Sequence, residues 1–325
     1  MKIKNDCFKL KRKKIIIMDT NTLIEVIKSS TPVIQSSLSA VVGAVISTLF
    51  LRKNTNTTEF EKIKVGLFKQ VASELLESGK MTYYEFYKCN NFLRVAELAD
   101  EIRNDSKQDE ETENKEYDFD WFVRFFDAVS AISNEDMQRL WAKILNGEIQ
   151  QQGSFSFRTL ETLRNLSQME AEIFCNTASI VLNDAIIFSS LGDIGQDINE
   201  KYGFDNTVLR LLEECGLING LRMQNQLTLE PDEAGGFSLD GKLLLFKNIS
   251  DDSLILDYTC YNLTRVGLEL FPVVYRPCEK NAYLIELGRA IREKYNTLQV
   301  SIHPINSMDE DSDSVSYDAT IDLLN

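Results

Sequence analysis

The sequence predicts a mostly helical chain, with a helical bundle-like middle and a smaller α+β module toward the C-terminal side. Two observations carry this. Apolar residues recur at helical spacing between Thr58 and Phe174, with Ser or Thr at helix starts and Glu three positions on. Short β-prone runs gather only after that stretch, around Ile186, Gln226–Leu229, Lys242–Phe246 and Leu298–Ile305.

The 325 residues are enough for two or three domains, and a hydrophobic content of 43% fits a folded chain. A formal net charge of −15 argues against sequence-independent binding to nucleic acid, which needs clustered Lys and Arg. Six cysteines (Cys7, Cys89, Cys175, Cys215, Cys260, Cys278) are scattered without a CxxC pair, so a reducing, cytoplasmic setting is expected. The single histidine, His303, removes every His-rich zinc constellation and leaves Ser-His or Cys-His chemistry to one residue in a β-prone run. Its ordinary reading is a histidine on a sheet face. No residue set calls for a cofactor, a metal or a catalytic assignment.

The first residues form a basic leader (Lys2, Lys4, Lys9, Lys11, Arg12, Lys13, Lys14), and translation starting at Met18 is one reading of it. Ile15–Ile27 has the look of the opening strand of a PIN-type ribonuclease with Asp19 as first metal ligand. The small-residue apolar run and long helices after it depart from that pattern, and Asp19 or Thr20 reads more simply as a helix cap. From Lys28 to Arg52 there is no charge between the ends. Val33–Leu51 spans roughly 19 residues, or about 28 Å of helix, close to a bilayer core. Ser36, Ala40, Ala44 and Thr48 form one line of small residues, and Ser39, Gly43 and Ser47 form another. Two readings stand: a membrane-inserted helix, or a helix buried against protein or a second copy.

Thr58 and Glu61 open a helix whose Phe60, Ile63, Leu67, Val71 and Leu75 share a face, closed by Gly79. Thr82 and Glu85 open the next, which gives way to the acidic stretch Asn104–Asp118, read as a linker. Trp121, Phe125, Trp141 and Leu145 are expected to form one buried core on two consecutive helices. Ser167 and Glu170 cap a further helix.

The order W-F-x-R-F-F-D, S-N-E-D-M-Q-x-L-W-A-K-I-L-x-G-E, S-F-S-x-R-T-L and L-S-x-x-E-A-x-x-F resembles the bacterial family called domain of unknown function 2806, over Asp118 to about Ile305. It is more distantly similar to abortive-infection alpha proteins. The resemblance implies a role in phage defence and supplies no catalytic residues.

After the Ser167 helix, the order strand, helix Asn206–Cys215, Gly216, apolar pair, β-prone runs and the turn Leu263-Thr264 to Gly267 predicts a winged-helix-like module with those runs as its wing. The candidate recognition helix offers only Arg210 against Asp205, Glu213 and Glu214, so protein contact is favoured over DNA. Expected segments are therefore 1–30 (leader and short helix), 31–53 (apolar helix), 54–103 (helical hairpin), 104–118 (linker), 119–166 (helical core), 167–275 (winged-helix-like module), 276–305 (helix plus strand) and 306–325 (mobile acidic tail). The function expected is that of an interaction protein, cytoplasmic or membrane-associated, with a protein partner or itself, serving as a sensor or effector in phage defence. The alternatives are a DNA-binding regulator, marked by convergence of Arg210, Arg222, Lys242 and Lys247, and a metal-dependent nuclease or hydrolase using acids such as Asp19 and Asp127.

Overall fold

The computed structural model describes residues 58–105, 118–275, 282–309 and 314–324. About 50% of it is helix and 23% strand, with two four-stranded antiparallel sheets in the C-terminal region. The fold is therefore mixed α/β, which corrects the expectation of a mostly helical chain. The apolar run with Ser36, Ala40, Gly43, Ala44 and Ser47 lies outside the described residues, as does Asp19. Among the described residues no helix is long and apolar enough to cross a membrane.

The chain divides into two compact units, and the division falls at the end of helix α3 and inside helix α4. In the first unit, α1 (Thr58–Glu77) and α2 (Tyr83–Asp105) form a hairpin. Phe68, Val71, Ala72 and Leu75 are buried on α1; Cys89, Phe92, Leu93, Val95, Ala96, Leu98 and Ala99 are buried on α2. Phe60, Ile63 and Leu67, expected on the same α1 face, have side chains outside the described set. The Met81 and Lys80 N–H groups return to the Leu75 carbonyl, which closes α1. Thr82 and Glu85 then make the expected reciprocal cap at 2.9 and 3.2 Å. Val129–Ala142 completes this unit, and the Asn91 amide ties α2 to it through the Ser130 carbonyl at 2.9 Å.

The second unit begins with α3 (Phe119–Val129) and continues from Lys143 through the rest of α4 (Glu135–Gln150), α5 (Phe157–Asn165) and α6 (Gln168–Ala178). Trp121 stacks on Phe125 at 5.1 Å and donates its indole N–H to the Phe155 carbonyl at 2.8 Å. In this unit Trp121, Phe125 and Leu145 are buried, the last two completely; Trp141, which belongs to the first unit, is completely buried as well. Ser167 and Glu170 form the expected capping box of α6.

One sheet has the order β1 (Val181–Leu182), β2 (Ile186–Leu191), β6 (Leu254–Asn262), β3 (Met223–Leu229). Helices α7 (Gln196–Lys201) and α8 (Asn206–Glu214) sit in sequence between β2 and β3. The second sheet has the order β4 (Ala234–Leu239), β5 (Lys242–Asn248), β7 (Leu298–Asp309), β8 (Ser314–Tyr317). Helices α9 (Arg265–Val274) and α10 (Ala282–Lys294) lie between β6 and β7 in sequence. The winged-helix-like expectation fails on strand pairing. The two runs read as one hairpin wing belong to different sheets, because β3 pairs with β6 while β5 pairs with β4 and β7. The reason is non-local: β7 arrives after two further helices and offers β5 seven successive partners, Lys242↔Pro304 through Asn248↔Leu298. Residues past Asn306, expected to trail as an acidic tail, carry β8 and a buried Leu324.

Candidate interaction surface

Strand β3 reads Met-Gln-Asn-Gln-Leu-Thr-Leu and contains no charge, proline or glycine. Its register with β6 runs unbroken from Met223↔Cys260 to Leu229↔Leu254. It is the terminal strand of its sheet, and among the described residues its outer edge pairs with no strand. Side-chain bonds brace it from within: Gln226 Nε2 donates to Asp257 at 3.0 Å and Asn225 Nδ2 to the Cys260 sulfur at 3.1 Å. At its end the Leu229 carbonyl accepts from the Asn248 amide at 3.0 Å, so the open stretch is Met223–Thr228.

Edge strands are normally blunted by shortness, charge, proline or a bulge. The other edges here are blunted: β1 has two residues and β8 four, and β7–β8 carries a register shift. Strand β4 has consecutive glycines and begins beside Asp232 and Glu233. Strand β3 has none of these devices within its length, and charge stands only at its two ends, Arg222 before it and Glu230 after it. Around it lie exposed apolar side chains, with Leu221 66% and Ile255 55% accessible and Met223 38%. Arg222, which directly precedes the strand, has no ion-pair partner among the described residues.

Arg222 also borders a cleft of about 240 Å³ lined by Ser189, Ser190, Asn199, Asn206 and Tyr261 among others. A register shift between Phe188 and Ser190 brings both serines to it. Gly195 comes soon after, at a φ of 127°, where a Cβ would run into the Ser189 carbonyl and the Phe188 ring. Much of the polar lining is already engaged. Asn199 donates to the Phe188 carbonyl at 2.5 Å and accepts from the Tyr283 hydroxyl at 2.9 Å, while Ser190 and Thr259 share a hydrogen bond of 2.8 Å. Asp205 caps α8 through the Thr207 and Val208 N–H groups, both at 2.8 Å. The cleft is thus a braced joint between β2, α7 and α8.

Elsewhere, candidate reactive groups are held in structural roles. His303 is buried, with Nδ1 at 2.7 Å from the Ile321 carbonyl and Nε2 at 2.7 Å from Ser301 Oγ, against the Tyr317 ring. Burial pushes the Cys89 thiol up to about 12, and burial with the Glu170 and Glu214 charges pushes Cys215 up to about 11, away from the thiolate. Glu269 accepts from Ser156 N–H at 2.6 Å, Thr159 Oγ1 at 2.5 Å and Arg265 Nε at 2.9 Å. Burial would raise its pKa, but these hydrogen bonds together hold it below the ordinary value. Glu148 accepts from the Gly153 and Phe155 N–H groups and so closes the turn before α5; its pKa is raised, chiefly by burial.

Of the four basic residues whose convergence would mark a DNA-binding regulator, Lys242 lies 3.5 Å from Asp240 and Lys247 3.0 Å from Asp232, both on β5 of the second sheet. Arg210 is exposed on α8 and Arg222 borders the cleft. Asp127 is exposed on α3, and no metal-binding group of His, Cys, Asp or Glu occurs among the described residues. The β3 edge is not legible from sequence, since which strand ends a sheet is not written in the strand itself. Its one readable signal is the uncharged run Met223–Leu229 in an acidic chain.

Residues 80–186, less than half of the chain, match the model of a family described as a protein of unknown function, DUF2806. The match begins earlier and ends earlier than the stretch read from the motifs, and it does not include β3. No curated protein and no solved structure matches the chain. The likeness to abortive-infection alpha proteins has no counterpart in these matches.

Proposed function

We propose that the chain is an interaction protein that works by protein contact along the open edge of β3. The observation that carries this is a seven-residue edge strand free of charge, proline and glycine, in a chain of net charge −15. Such an edge offers backbone donors and acceptors to an extended partner strand, while its alternate side chains choose among partners. The setting proposed is bacterial phage defence, as a sensor or effector, and its support is the motif likeness to the DUF2806 and abortive-infection groups. The DNA-binding alternative is weakened by the carboxylates beside Lys242 and Lys247.

The test is phage challenge of bacteria expressing the full chain or its Gln226→Glu variant, which puts a charge at the middle of the edge. Plaque counts should fall with the wild type and recover with the variant, with equal protein levels. Equal plaque counts for the wild type and the empty vector would overturn the defence setting. Protection that survives Gln226→Glu would overturn the role of the edge.

A further inference from the structure

We infer that the partner on this edge is a second copy of the chain, paired antiparallel through β3 about a twofold axis at Gln226. The inference rests on the reading of β3 as the interaction edge and names its occupant. Side-chain alternation comes first. Period two places Arg222, Gln224, Gln226, Thr228 and Glu230 on one face, beside Thr259, Asp257 and Ile255 of β6. Gln224, Gln226 and Thr228 are exposed on that face, and so are Arg222 and Glu230 at its two ends.

Antiparallel pairing about Gln226 sets Gln224 opposite Thr228, Gln226 opposite its own copy, and Arg222 opposite Glu230 of the second chain. Both ends of the strand would then carry an Arg–Glu pair, generated twice by the symmetry. Within one chain Glu230 accepts from Ser253 Oγ at 2.6 Å and Arg222 has no ion partner among the described residues. One cation at one end of a neutral strand and one carboxylate at the other are complementary to the same strand turned around. On the opposite face the register sets Asn225 opposite Leu227, so no like charges face each other within the open stretch. Leu229, whose carbonyl is held by Asn248, lies beyond the backbone pairing, and the Arg222–Glu230 contacts beyond it are made by side chains alone.

The experiment is the solution mass of the full chain, by light scattering coupled to gel filtration, across a concentration series. The wild type should reach a mass near twice the 37.1 kDa of one chain. Arg222→Glu, which sets two carboxylates opposite each other at both ends, should return the mass to that of one chain. The double variant Arg222→Glu/Glu230→Arg should restore the dimer. Gln226→Glu, which adds to Asp257 at the axis, should be monomeric, with circular dichroism showing each variant folded. A wild type that stays at single-chain mass at the highest concentration overturns the inference. So does a dimer indifferent to Arg222→Glu, or one that the double variant fails to restore. A monomeric wild type whose phage protection still depends on Gln226 would leave the edge reading standing and remove only the second copy.

Discussion

Trp141 is completely buried in α4, at the turn where the helix passes from one compact unit to the other. Its truncation leaves a large void, and Trp141→Ala should cost about 3 to 5 kcal/mol in chemical denaturation if the site cannot collapse. A change below about 1 kcal/mol would mean that the surroundings close over the gap. Glu269 gives a test of a different kind. Its folded pKa lies below its ordinary value of 4.5, because three donors outweigh the cost of burial. A depressed carboxylate contributes stability that is present above the ordinary value and disappears as pH falls through the folded one. Glu269→Gln should therefore be less stable than wild type near neutrality, with the gap closing below about pH 4.5 as the wild-type carboxylate takes up its proton. A gap that stays constant from neutral to acid pH would show that the negative charge does not matter there.

At the scale of elements, the caps carry the chain's local signals. Thr264 caps α9 by accepting from the Gly267 N–H at 3.1 Å, and Gly267 lies so close to the Leu217 carbonyl that a Cβ would collide with it. Gly267→Ala must push α9 away from the end of α8, and should lower stability by about 1 to 3 kcal/mol although alanine favours helix. Thermal unfolding measures this, and an unchanged or raised midpoint would show that the contact gives way freely. Helices are legible for such reasons: the Thr82–Glu85 and Ser167–Glu170 boxes and the apolar period lie within a few residues of one another. Sheets are not. The runs at Gln226–Leu229 and Lys242–Phe246 are strands, as their composition suggests, but β3 finds its partner after two intervening strands and β5 its second partner after one strand and two helices. Strand period says which side chains share a face and nothing about which strand lies alongside. The openness of the β3 edge depends on that order and is hidden with it.

For the molecule as a whole, charge decides against duplex DNA. Outside the basic leader the chain is strongly acidic, and the expected recognition helix carries Arg210 alone among its acids. Protein lacking residues 1–53 should give no gel shift with duplex DNA at physiological salt. Tight, sequence-selective binding would contradict this and point back to Arg210 and Arg222 as a surface.

The interleaving of the two sheets bears on how the chain is made. Strands β4 and β5 leave the first sheet after β3, and the chain returns to it as β6 before the second sheet receives β7. During synthesis β5 therefore leaves the ribosome with β4 on one side and no neighbour on the other until Leu298 emerges. That interval covers β6, α9 and α10, and a nascent chain stalled within it displays the apolar face of Leu244 and Phe246 beside an unpaired backbone. Premature termination before β7 consequently yields a sticky fragment that chaperones or proteases must remove, and the last strands to be translated settle the fate of strands made well before them.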